Sequence, residues 1–201
     1  MKKLLAVLVV IMVIATIASA RPGAMSFGPK FALNFASEGG DNSSSISSST
    51  KFGIGGFMIY DLADQFALQG EFLYNRKGCS VPPPAYNPTV TITGSYFDLV
   101  ALAKYNIPIE GNIKPSVFAG PSFGILLSAT ANQNGTTTDI TSSASGSDFG
   151  LIFGGGAMYK MGNRGIVFDL RYYLGFTSVQ KNTPPSNTNQ IFSINVGYAF
   201  M

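Results

Sequence analysis

The stretch RGIVFDLRYYLGF, residues 164–176, decides how the rest of the chain is read. Every second position gives Ile166, Phe168, Leu170, Tyr172, Leu174 and Phe176, an unbroken apolar stripe. The positions between give Val167, Asp169, Arg171, Tyr173 and Gly175, which set an acid beside a base. A β-strand places alternate residues on opposite faces, so the stretch has one apolar face and one mixed face. In a soluble barrel the apolar face points inward. In an outer-membrane barrel it points outward against lipid, and the charges line the lumen.

The last strand-like segment, NQIFSINVGYAFM, sorts the same way. Phe192, Ile194, Val196, Tyr198 and Phe200 share one face; Ser193, Asn195, Gly197 and Ala199 share the other. Small and polar residues suit a narrow lumen, and a continuous aromatic-aliphatic face suits lipid. Parity then assigns further inward residues. Lys30 and Asn34 oppose Phe31, Leu33 and Phe35; Gln69 and Glu71 oppose Leu68, Phe72 and Tyr74; Asp98 and Lys104 oppose Phe97, Leu99 and Ala101. The inward charges are thus Glu71, Asp98 and Asp169 against Lys30, Lys104 and Arg171. Eight strands enclose a bore that side chains can fill, and buried charges there must pair. The set predicts a closed, salt-bridged lumen, a structural cluster rather than a catalytic one.

Period-two patterning predicts an all-β chain with eight strands, near 26–36, 51–61, 65–76, 90–106, 112–129, 148–161, 165–178 and 190–200. Their links alternate. SEGGDNSSSISSST, GCSVPPPAYNP, TANQNGTTTDITSSASGS and QKNTPPSNTN are long; those near 62–64, 108–111 and 162–164 are short. In an antiparallel up-and-down barrel this collects the long loops on one rim, and the short turns with both termini on the other.

The chain starts with Lys2 and Lys3, an apolar run from Leu4 to about Ile17, and Ala18-Ser19-Ala20. That order describes a cleaved secretory signal peptide over 1–20, with the barrel domain over 21–201. A retained membrane anchor is the competing reading. No later apolar run is long enough for a membrane helix, so a membrane protein here must be a barrel. Without Lys2 and Lys3 the 13 basic residues fall to 11 against 10 acidic, scattered along the chain, which gives no reason to expect nucleic acid. Histidine is absent and Cys79 stands alone, read as a loop thiol. No Ser-His or Cys-His pair and no imidazole metal site can form. No catalytic, cofactor or metal residues are assigned.

Several segments resemble the PorT-type outer-membrane β-barrel family, common in Bacteroidota: GPKFALNFA, FGIGGFMIYDLADQFALQGEFLYNRKG, YFDLVALAKYNI, AGPSFGILLSA, FDLRYYLGFTSV and NQIFSINVGYAF. The A-G-P-x-x-G element and the L-Q-x-E-x-x-Y run are the most specific; Val100 and Ala32 depart from the usual proline and glycine. The resemblance implies a closed eight-stranded barrel in the outer membrane, a family with no catalytic residues, and a namesake linked to protein export by the type IX system. Barrel-assembly machinery commonly recognises a C-terminal strand ending in an aromatic residue; here Phe200 is followed by Met201. The leading expectation is a non-enzymatic outer-membrane barrel in contact with lipid. Its outer loops would meet a secretion-system or surface protein partner, in export or adhesion. The alternatives are a small passive pore for ions or solutes, and a soluble lipocalin-like binder with the same strands turned inside out.

Overall fold

The computed structural model of the protein describes residues 23–40, 46–83, 85–181 and 187–201. The expected signal peptide lies outside the described residues. The strands are β1 (Met25–Gly40), β2 (Ser47–Asp61), β3 (Phe66–Val81), β4 (Val90–Asn106), β5 (Ile113–Gln133), β6 (Thr136–Asp139), β7 (Ser147–Met161), β8 (Arg164–Ser178) and β9 (Asn187–Phe200). All pairings are antiparallel, and apart from β1–β9 they join strands that follow one another in the chain once β6, a short flap on β5, is set aside and β5 pairs onward to β7. The β1–β9 and β4–β5 pairings close the remaining eight strands into a barrel. Among the described residues no helix is long and apolar enough to cross a membrane; the strands are the candidates for that task.

The faces of β8 answer the question posed by its sequence. Ile166, Phe168 and Leu170 are each 42% exposed, whereas Val167 and Asp169 are 0% and Arg171 4% exposed. Apolar residues point out and charges point in. Cross-strand aromatic pairs run along the outer wall, among them Phe27 with Phe200 at 5.9 Å and Phe153 with Tyr172 at 5.5 Å between ring centroids. Such pairs on adjacent strands stabilise the sheet beyond simple area burial. A band of this extent would not stay in water, and it matches the apolar belt of a membrane barrel.

Inside, apolar and polar layers alternate. Phe57, Ile59, Ala67, Val167 and Ala199 pack together near the short-turn rim. A second apolar group, which includes Val100, Leu102, Phe118, Ile152 and Tyr173, fills the bore further along. The bore is therefore a core, as the narrow circumference of eight strands requires.

Six strands overrun the lengths that the sequence predicts at the long-loop end, whereas β4 keeps its predicted bounds and β1 and β8 gain one residue each at the short-turn end. β3 continues from Arg76 to Val81 and β5 from Ala129 to Gln133. The longest link contains a hairpin: Asn134 and Gly135, with φ of 52° and 82°, turn the chain into β6. Two successive positive φ values favour Asn-Gly, whose left-handed backbone matches the strand twist. Asp139 Oδ1 then accepts the Thr141 N–H at 2.8 Å, which holds this exposed carboxyl below its ordinary pKa. Cys79, expected in a loop, is a buried residue of β3 whose thiol donates to Glu38 Oε1 at 3.3 Å. Pairing with β4 continues through Val81, and the Gly-Cys-Ser sequence suits that extension as well as it suits a loop.

Candidate functional site

The inward charges form two clusters rather than one balanced set of six. Their positions follow from register. Glu71 lies opposite Phe57 on β2 and Val100 on β4, and Asp169 lies opposite Gly156 on β7 and Asn195 on β9. Lys30 reaches both carboxylates from β1, with Nζ 2.7 Å from Glu71 Oε1 and 2.7 Å from Asp169 Oδ2. Arg171 meets the same pair. Its Nη1 and Nη2 donate to the two oxygens of Glu71 at 2.8 and 3.0 Å, and Nη2 also donates to Asp169 Oδ2 at 2.8 Å. The forked guanidinium matches the planar carboxylate, the strongest geometry for a buried ion pair.

Glycines make the room. A side chain at Gly156 would collide with Asp169 Oδ1 and with the Phe168 carbonyl, and one at Gly154 with the Leu170 carbonyl. The Gly-Gly-Gly run of β7 thus lets the charged residues of β8 lie flat against the wall. Phe118 closes the cluster from β5, its ring centroid 5.3 Å from the Arg171 guanidinium carbon.

Lys104 takes a different part from the one its parity implies. It is buried and points inward, but its Nζ donates to Gln69 Oε1 at 3.2 Å. None of the described carboxylates lies within ion-pair distance of it. Gln69 in turn donates to Glu71, so Lys104 is tied to the cluster through an amide.

Asp98 belongs to the second cluster, nearer the long-loop rim. Lys77 Nζ sits 3.0 Å from Asp98 Oδ1 and 3.0 Å from Asp148 Oδ2. The Asp98 contact is a close ion contact off the hydrogen-bonding direction, whereas the Asp148 contact is aligned. Asn75 Nδ2 donates to Asp98 Oδ2 and Asn189 Nδ2 to Asp148 Oδ2, each at 3.0 Å. The ammonium is flanked by Tyr96 and Tyr173, with ring centroids at 4.8 and 4.5 Å. Ser193, Asn34 and Asn75 relay hydrogen bonds along the wall to Asp98.

Sequence reasoning missed Lys77 and Asp148. Lys77 continues the odd-numbered inward series Gln69, Glu71, Asn75 of β3, but a strand ended at Arg76 excludes it. Asp148 sits at the very start of the strand read as 148–161, where inward and solvated positions look alike. No described group of three or more Cys, Asp or Glu residues is disposed to hold a metal ion.

The geometry is that of a sealed lumen, and the comparisons agree on the fold. A family profile described as "Outer membrane protein beta-barrel domain" matches residues 18–181. The crystal structure of Neisserial surface protein A is similar with a TM-score of 0.53 at 17% identity, over 88% of this chain and 97% of that one. The outer membrane protein OprG from Pseudomonas aeruginosa gives 0.52 at 13% identity, over 90% and 96%. No curated protein matches. At these identities the structural likeness speaks for the fold alone.

Proposed function

The chain belongs to the outer membrane protein β-barrel domain family and resides in the outer membrane, and from that premise we propose that it works non-enzymatically through its rim of long loops and not through its bore. One observation carries this reading. Between the two ion clusters, the lumen keeps a cavity of about 20 Å³, room for roughly one water molecule. A small passive pore, the alternative, needs a continuous wet path. Planar-bilayer recording separates the two: the proposal expects no steady unitary conductance, and a wild-type barrel that conducts steadily would establish the pore.

In this reading the links after β1, β3, β5 and β8 face outward and the short turns face the periplasm, the usual disposition of such barrels. Resemblance to the PorT-type family supports an accessory role in surface protein export, and polar, Ser/Thr-rich loops serve adhesion equally well. The partner is then a secretion-system or surface protein. Barrel-assembly machinery engages β9 through the aromatic Phe200, which here precedes Met201. Protease added to whole cells should cut within 136–145 and spare 162–164; the reverse pattern would invert the topology. Capture from intact cells with a tag in the third long link should retrieve a surface or secretion protein, whereas retrieval of neither would count against both roles. The segment 1–20 is proposed as a cleaved signal peptide. N-terminal sequencing of the membrane form should read Arg-Pro-Gly, and a start at Met1 would favour the anchor.

A further inference from the structure

The long-loop end of the lumen contains a second, larger space that the sealed core does not need. It is a cavity of about 330 Å³, within the range of small-molecule sites. Its walls are largely apolar, with Ile92, Ala129, Ile140, Ala144 and Val179 beside the ring of Tyr96. Two chain segments close over it and hold each other by main-chain bonds. Ser145 N donates to Val179 O at 3.0 Å and Lys181 N to Ser143 O at 3.1 Å, around a bridge between Ala144 and Gln180. The enclosure is therefore built from both the third and the fourth long links.

Glu38, 9% exposed, stands in the cavity wall. Among the described residues its two oxygens accept from neutral donors: Oε1 from the Cys79 thiol and Oε2 from Asn187 Nδ2, each at 3.3 Å. None of the described cations lies within ion-pair distance of it. Lys77 forms part of the floor but is already held between Asp98 and Asp148. Lys51, on the neighbouring strand, ends on Thr93 Oγ1 at 2.8 Å, and Lys181 contributes to the lid. The cavity wall itself carries one carboxylate, Glu38, and two ammonium groups, Lys77 and Lys181; the charge of Lys77 is already matched by Asp98 and Asp148, which lie outside the lining. A buried carboxylate is costly without a cationic partner.

We propose that this vestibule binds a small organic cation, a primary ammonium with a short apolar body, whose charge pairs with Glu38 while its hydrocarbon lies against Ile92, Ala129, Ile140 and Val179. Metal is a poorer fit. Among the described residues Glu38 has the Cys79 thiol and the Asn187 amide as hydrogen-bonded neighbours, and no group of three metal-ligating side chains exists. An anion would meet Glu38 itself. The charge selects the head group and the aliphatic wall selects the tail.

The test uses the folded full-length barrel in detergent micelles and n-pentylammonium as probe, with pentanoate as the matched anion, followed by calorimetric titration. The expected result is saturable binding of pentylammonium, none of pentanoate, and at least a tenfold loss of affinity in Glu38→Gln. Equal binding by wild type and Glu38→Gln, equal binding of the two probes, or no saturable binding to wild type would each overturn the proposal. Heat-modifiable migration on gels reports whether Glu38→Gln is folded. Should it not fold, Ala144→Phe decides the matter by filling the apolar side from the lid: lost binding in a folded variant supports the site, and unchanged binding removes it.

Discussion

The two ion clusters solve the same problem with different margins. In the cluster around Glu71 and Asp169, two cations reach the same two carboxylates, so each acid keeps a partner if either base is lost. In the cluster around Asp98 and Asp148, a single lysine serves both acids, and its other neighbours are tyrosine rings and neutral amides. Burial is nearly complete in both, so the difference is one of redundancy and not of solvent. It teaches that the count of buried charges is a poor guide to fragility. What matters is how many carboxylates a deleted cation leaves alone.

That contrast can be broken directly. Lys77→Met should be the most damaging change, because Asp98 and Asp148 would face each other without a cation. Breaking a buried pair costs about 3–5 kcal/mol, read as a lower temperature for loss of the folded band on gels. Arg171→Met should cost less, about 2 kcal/mol, since Lys30 still bridges Glu71 and Asp169. Arg171→Lys should recover part of that loss, because charge returns without the fork. If Arg171→Met proves worse than Lys77→Met, redundancy is not what separates the clusters.

Smaller effects sharpen the picture. Gly124→Val introduces a side chain that would collide with Asp98 Oδ1 and approach Lys77 Nζ. Overpacking of this kind typically costs about 1–3 kcal/mol, and denaturant titration should show it as a lowered midpoint. Lys104→Met should be the mildest, near 1 kcal/mol, the worth of a hydrogen bond to a neutral amide. A loss from Lys104→Met as large as that from Arg171→Met would mean that Lys104 shares charge with Glu71 or Asp169 after all.

Much of the architecture was legible in the sequence alone. The alternation in 164–176 and 189–200 determined which face meets lipid, because period two leaves a strand only two sides and the apolar one must avoid water. The same parity placed Lys30, Glu71, Asp98, Lys104, Asp169 and Arg171 inside, and the alternating links determined an up-and-down order. Tertiary structure alone decided the partners. Which base meets which acid depends on the stagger between strands that are distant in sequence, such as β1 with β3 and β8. One residue of shift would have moved every contact. It also decided where the strands stop: β3 runs through Gly78 and Cys79 because β4 is there to bond it, and with that extension Lys77 enters the lumen. The vestibule around Glu38 arose the same way, from two links that meet only in the closed barrel. A local sequence pattern carries the direction of a side chain, but not the neighbour that closure brings to it.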